Sequence, residues 1–228
     1  MSGSLREQFE VDLKAIDDTL VEMTRLVGSA MSRATSALLD ADLAIAESVI
    51  AADEQVDALH VDLEERALVL IARQAPVATD LRALIAALRM SADLERMGDL
   101  ARHVAKLARL RYPNSAVPAE LRSDVLEMGQ VAQQLVVKTG SIIASRDLLA
   151  AEELEADDDE MDRLHRGLFG KLVDPHWTHG VETAVDITLA GRYYERYGDH
   201  AVAVARRVVF LVTGDHAAAH GEGPSSSS

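Results

Sequence analysis

Apolar residues recur three or four positions apart along most of the chain, which is the spacing of one face of an α-helix. Five prolines and a few loop residues interrupt this pattern and divide it into six helical segments. Asp42 and Asp147 are placed to cap the second and fifth helices, and Pro76 suits the first turn of the third. The pattern therefore predicts helices over residues 5–39, 43–73, 76–111, 119–145, 148–173 and 176–213.

The second half of the sequence repeats the first. Asp53 and Asp158 lie 105 positions apart, as do the two helix caps. After the second helix the separation becomes 100, because the second copy is shorter there. Three helices joined by short loops pack most simply as an antiparallel bundle. The sequence thus predicts an all-α, elongated protein made of two tandem repeats, each an antiparallel three-helix bundle.

Composition places the boundaries of these two bundles. The stretch 112–118 contains two prolines and marks a linker between a first bundle over residues 5–112 and a second over residues 119–214. Residues 215–228 end in glycine, proline and serine, and we expect this tail to be disordered.

Charge and cysteine content exclude several classes of protein. A formal net charge of −15 repels a phosphate backbone, so nucleic acid is not an expected partner. The chain has no cysteine, so any metal must be held by oxygen ligands, with or without histidine. There is no signal-peptide pattern and no apolar run of about 18 residues. We expect a cytoplasmic protein that reaches a membrane only through its partners.

Each repeat contains two pairs of acidic residues spaced four apart. Such residues lie one above the other on a helix, where like charges repel by about 0.2–0.5 kcal/mol per pair. A bound cation would reverse the sign of that interaction. The candidate metal ligands are Asp53, Asp57, Glu95 and Asp99 in the first repeat and Asp158, Asp162, Glu195 and Asp199 in the second.

The position of these acids argues against a solvated acidic surface. Glu95 and Asp99 continue the apolar stripe of the third helix, and a buried carboxylate needs a partner or a proton. Arg96 and Arg196 directly follow the glutamates and could pair with them, but two arginines cannot neutralise eight acids. Metal ligation is therefore the favoured interpretation.

Matched glycines and histidines accompany the acids. Gly98 and Gly198 indicate either a close approach of helices or room for an ion. His60 and His165 follow the first acid pairs by three positions, which leaves open a role as ligand, as hydrogen-bond donor to a ligand, or as an interface residue.

Two other interpretations of the acids remain open. One is a metal-free helical scaffold in which arginines and solvent satisfy the carboxylates. The other is a carboxylate-bridged di-metal enzyme, an oxidase or a phosphohydrolase. The chain contains no nucleophile motif and no phosphate-binding loop, so we expect that it is not an enzyme.

Four segments resemble the PhoU family of phosphate-uptake regulators. Two carry a Glu-Arg-x-Gly-Asp motif at repeat-related positions, and the resemblance runs from about residue 5 to residue 214. These segments are 53–57, 76–82, 93–99 and 194–200. The stretch 175–179 differs from its counterpart 76–80, so equal metal occupancy of the two repeats does not follow from the resemblance.

The resemblance implies twin three-helix bundles whose acidic motifs hold iron, zinc, manganese or magnesium. Asp53, Asp57, Glu95 and Asp99 would form one site and the four acids of the second repeat the other. It also implies a negative regulator that links the ATPase subunit of a phosphate ABC transporter to a sensor histidine kinase. Long amphipathic helices favour a homodimer.

Overall fold

The protein consists of six long α-helices and one short 3₁₀ turn. The computed structural model describes residues 2–215, and no strand occurs within that range. The tail predicted to be disordered, residues 215–228, lies outside the described residues except for Asp215. The helices are α1 (Ser2–Asp40), α2 (Leu43–Gln74), α3 (Thr79–Arg111), α4 (Arg122–Ser145), α5 (Leu148–Leu172) and α6 (Gly180–Thr213).

The two predicted helix caps are confirmed. The carboxylate of Asp42 accepts a hydrogen bond of 2.9 Å from the backbone N–H of Ile45, and Asp147 accepts one of 2.9 Å from Leu149. Each cap satisfies a backbone donor that has no partner within its helix.

Four predicted helix starts differ from the structure: α1 begins three residues earlier, α3 and α4 begin three residues later, and α6 begins four residues later. α3 begins at Thr79 rather than at Pro76, because Ala75 and Ala78 adopt left-handed φ angles of 43° and 50° that reverse the chain between α2 and α3. α4 begins at Arg122, since residues 119–121 form the 3₁₀ turn.

The two repeats share one hydrophobic core. Within each repeat the three helices pack on one another, and across the repeats α1 packs on α4 and α3 packs on α6. Both cross-repeat pairs are antiparallel. Contacts join Leu39 to Arg122 and Asp17 to Arg146 in the first pair. The result is a central group of four helices, with α2 and α5 on its outside.

The α1–α4 contact depends on small residues. A Cβ atom added to Gly129 would lie 2.7 Å from Cγ2 of the buried Thr35, and one added to Gly140 would lie 2.7 Å from Oγ1 of Thr24. The hydroxyl of Thr35 also forms a hydrogen bond of 2.7 Å with that of Tyr194 on α6. Glycine is therefore what allows these two backbones to come so close.

Gly129→Ala is expected to destabilise the protein by about 1 kcal/mol. Thr35 is short, β-branched and buried, so it cannot yield, and overpacking costs about 1–3 kcal/mol. That cost exceeds the gain of about 1 kcal/mol from alanine in a helix. Urea unfolding measures the difference.

Gly167→Ala is the matched control. Nothing lies within 4 Å of a Cβ added to Gly167 in α5, so this variant should gain about 0.5–1 kcal/mol. Equal effects of the two substitutions would show that α1 and α4 do not meet at Gly129.

None of the helices within the described range is both long and apolar enough to cross a lipid bilayer.

Candidate metal centre

The eight predicted site residues lie in two matching grooves, four in each. The first groove, between α2 and α3, contains Asp53, Asp57, Glu95 and Asp99, which we call the first acid cluster. The second groove, between α5 and α6, contains Asp158, Asp162, Glu195 and Asp199, which we call the second acid cluster. Asp53 is only 5% exposed, six others are half-buried, and Asp199 is exposed. This placement is consistent with the sequence prediction that acids from two helices of each repeat come together.

Two arginines compensate part of the negative charge of the first acid cluster. Arg102 donates hydrogen bonds to both Asp53 and Asp99. Arg96 lies 3.0 Å from Asp99 and 3.5 Å from Glu95. Within the described residues, Asp57 has neither a hydrogen bond nor an ion pair from its side chain.

The second acid cluster has much less compensation. Arg192 donates to Glu195. The Oδ1 atom of Asp158 is buried and has no hydrogen-bond partner among the residues that the structure describes. A Cβ added to Gly198 would clash with that same oxygen. The glycine therefore leaves the space that the Asp158 carboxylate occupies, and an uncompensated oxygen lies in it.

Burial and mutual repulsion make the central aspartates hard to ionise. Burial, aided by the nearby acids, raises the pKa of Asp158 to about 7. Burial also raises the pKa of Asp53, to about 6, although the guanidinium of Arg102 opposes the shift. The pKa values of Glu95 and Glu195 are raised for the same leading reason. Both grooves thus hold carboxylates that lack sufficient positive charge.

The two matched histidines lie one helical turn beyond Asp57 and Asp162. Nδ1 of His60 is 3.1 Å from Oγ of Ser91, and its Nε2 is 3.6 Å from Glu64. The ring of His165 would contact a Cβ added to Gly191, the counterpart of Ser91. Each imidazole thus lies against the facing helix of its own repeat, and their part in any metal site stays a prediction.

The acids surround each groove without converging on a point. Within residues 2–215 no three histidine, aspartate or glutamate side chains are arranged so that they could hold a metal ion as they stand. The donor set is nevertheless suited to hard or borderline cations, since it is made of carboxylate oxygens.

A family model decides the relationship of this chain to known proteins. The model of the PhoU domain matches it twice, over residues 20–108 and 125–208. The chain belongs to the PhoU family. The two matches fall on the two repeats, so the predicted fold class is confirmed together with the resemblance.

Individual relatives agree with that assignment. The phosphate-specific transport system accessory protein PhoU homolog 2 of Mycobacterium tuberculosis is 50% identical over 210 residues, covering 92% of this chain and 99% of its own. PhoU homolog 1 of Mycobacterium leprae is 49% identical, covering 92% of this chain and 95% of its own. The crystal structure of PhoU from Pseudomonas aeruginosa superposes with a TM-score of 0.81 at 29% identity, covering 91% of this chain and all of that one.

The names of these relatives bear on the enzyme alternative. They describe accessory proteins of a phosphate-specific transport system. The expectation that this PhoU-family chain is not an enzyme is confirmed by these relatives, and the di-metal enzyme interpretation is set aside.

Sequence reasoning missed two of the cationic residues. It considered Arg96 and Arg196 as possible ion-pair partners of the acids. Arg96 pairs with them, whereas Arg196 makes no ion pair within the described part of the chain. Arg102 and Arg192, which do pair with cluster acids, lie three positions from Asp99 and Glu195. That i,i+3 spacing was the available signal.

The raised pKa of Asp158 predicts a pH dependence of stability in the metal-free protein. Because its folded pKa of about 7 exceeds the ordinary value of 3.8, the native state binds the proton more tightly than the unfolded state. The resulting stabilisation is complete below pH 3.8 and is lost as the pH rises through about 7.

Asp158→Asn should therefore stabilise the chelator-treated protein at pH 7.5. One pKa unit corresponds to about 1.4 kcal/mol, and solvent screening at a half-buried site reduces the total, so we expect about 1–2 kcal/mol. Urea unfolding at pH 4.5 and 7.5 measures it, with Glu152→Gln on the exposed side of α5 as control. A variant no more stable than wild type at pH 7.5 would contradict the uncompensated burial of Asp158.

Proposed function

We propose that this chain is a cytoplasmic negative regulator of phosphate uptake and of phosphate-starvation signalling. Its PhoU relatives are named as accessory proteins of phosphate-specific transport, and this chain matches them over nearly their full length. Both facts support a role beside such a transporter. The proposed partners are the ATPase subunit of the transporter and a sensor histidine kinase, and the proposed assembly is a homodimer.

The proposed regulator is a metal-binding adaptor. Metal binding is supported by the Oδ1 atom of Asp158, which is buried and has no partner among the described residues. Burial of such an oxygen costs free energy unless a cation or a proton compensates it. Iron, zinc, manganese and magnesium are the proposed metals. The proposed ligands are Asp53, Asp57, Glu95, Asp99, Asp158, Asp162, Glu195 and Asp199.

The chain's own residues explain how metal could affect regulation. Each acid cluster joins two helices of one repeat, so repulsion among its carboxylates pushes α2 from α3 and α5 from α6. A bound cation supplies the positive charge that offsets this repulsion. The acids then hold the helices of each pair at a fixed separation, and the groove surface presented to partners becomes less negative.

Restoration of regulation in cells tests this function. In a strain lacking the chain, the wild-type protein should repress a phosphate-starvation reporter in phosphate-rich medium. A variant with amides at Asp158, Asp162, Glu195 and Asp199 should leave the reporter active, whereas the exposed Glu152→Gln control should repress it. Full repression by the amide variant would show that regulation does not need the second acid cluster.

Partner binding requires a separate measurement. The wild-type protein, immobilised with metal, is expected to retain both the purified ATPase subunit and the cytoplasmic part of the kinase. Retention of neither would contradict the adaptor role, and retention of the ATPase subunit alone would remove the kinase from the proposal.

A further inference from the structure

The two acid clusters differ in the cation that bridges their two helices. Arg102 reaches across the first groove and donates to Asp53 of α2 and to Asp99 of its own helix. The residue 100 positions further on, which occupies the same place in the second repeat, is Val202. Valine carries no charge, and this one is 7% exposed.

Within residues 2–215, no neighbouring side chain replaces the missing guanidinium in the second groove. Arg206, one turn beyond Val202, instead donates to Glu155 over 2.6 Å. Arg207 points to Asp93 on α3, with 3.8 Å between Nε and Oδ2. Of the four acids in the second cluster, only Glu195 has an ion pair within the described range.

The first cluster has more positive charge beside it than the second. Three of its four acids contact a guanidinium: Asp53 and Asp99 contact Arg102, and Asp99 and Glu95 contact Arg96. Any metal that entered this groove would have to displace Arg102 from carboxylates that it already satisfies. Among the described residues, the second groove has only Arg192 at Glu195, no guanidinium bridges its two helices, and the Oδ1 atom of Asp158 is uncompensated.

We propose that Arg102 serves as a built-in cation of the first acid cluster, so that divalent metal binds the second acid cluster first and with higher affinity. This inference rests on the proposed metal-binding function and adds to it an order of occupancy. At low metal concentration the protein then carries metal in its second repeat only. In the first groove, the guanidinium of Arg102 compensates the carboxylates in place of a metal ion.

A pair of exchanged residues tests the order of occupancy. Arg102→Val gives the first groove the residue of the second, and Val202→Arg does the reverse. Isothermal titration of the chelator-treated full chain with Mn²⁺ should show a tight and a weak class of sites in the wild type, at least tenfold apart. Val202→Arg should weaken the tight class at least tenfold, and Arg102→Val should strengthen the weak class by a similar factor.

A direct readout in the wild type avoids dependence on how the variants fold. Mn²⁺ is paramagnetic, so it broadens nearby amide signals in a two-dimensional NMR spectrum. Signals around Asp158 and Asp199 should disappear at lower Mn²⁺ than those around Asp53 and Asp99. Arg102→Gln, which keeps a polar side chain without the charge, should bring the two sets together.

The outcomes separate this inference from the proposed function. Two clusters that bind Mn²⁺ equally in the wild type, or preferential broadening around Asp53, would overturn the role of Arg102 and leave metal binding intact. Absence of any binding in the wild type and in Arg102→Val would overturn both.

Discussion

Tyr194→Ala is expected to lower the free energy of unfolding by about 3–5 kcal/mol. The side chain is fully buried where α6 meets the other central helices, and removing a buried aromatic ring costs about this much through lost burial and the cavity left behind. Its hydroxyl also shares a hydrogen bond of 2.7 Å with Thr35 of α1, which ties the two repeats together. Urea unfolding monitored by circular dichroism measures the loss.

Phenylalanine substitutions at two buried tyrosines separate the hydroxyl from the ring. Tyr194→Phe should cost about 1 kcal/mol, because it removes a made hydrogen bond. The hydroxyl of Tyr197 is buried without a partner among the described residues, so Tyr197→Phe should be neutral or stabilising by about 1 kcal/mol. A loss at Tyr197 as large as that at Tyr194 would contradict the bonding pattern in the central helices.

Divalent metal is expected to stabilise the wild-type protein strongly. A ligand that binds only the folded state at 100 times its dissociation constant adds about 2.7 kcal/mol to the free energy of unfolding. Asp158→Ala combined with Asp162→Ala should abolish most of this gain, since it removes two proposed ligands and the uncompensated oxygen. Thermal unfolding with and without Mn²⁺ measures the effect.

The control for this experiment is Glu152→Gln, which removes an acid from the same helix outside the groove. It should keep the full metal-induced stabilisation. If the double alanine variant is stabilised by metal as much as wild type, then the metal binds elsewhere.

Much of the fold could be predicted because its signals are local. Asp42 and Asp147 act as caps through hydrogen bonds to residues two or three positions away, and such contacts follow from spacing alone. The exact start of α3 could not be predicted, because the left-handed Ala75 and Ala78 follow from how two packed helices are connected.

The grouping of the acids was predictable, whereas the positions of the cations beside them were not. Spacings of four place two carboxylates on one helix face, and the repeat indicates which helices face each other. Arg102 contacts Asp53 on α2 because of the way α2 and α3 pack. Sequence spacing does not specify that packing. The contrast between Arg102 and Val202 could still have been read from the offset of 100 positions.

The shared core of the two repeats was also beyond sequence reasoning. Each repeat has its own apolar stripes, and the same stripes would suit two separate bundles. The close approach at Gly129 and the bond between Thr35 and Tyr194 exist only because α1 packs on α4 and α3 packs on α6.

The central claim is that the two acid clusters are the metal sites of this PhoU-family protein. Elemental analysis of the protein as isolated from cells tests it most directly, with wild type beside two variants that carry amides in place of the four acids of one cluster. The account predicts bound metal in the wild type, a large loss in the second-cluster variant and a smaller loss in the first-cluster variant. Wild-type metal content in both variants, or none in the wild type, would contradict it.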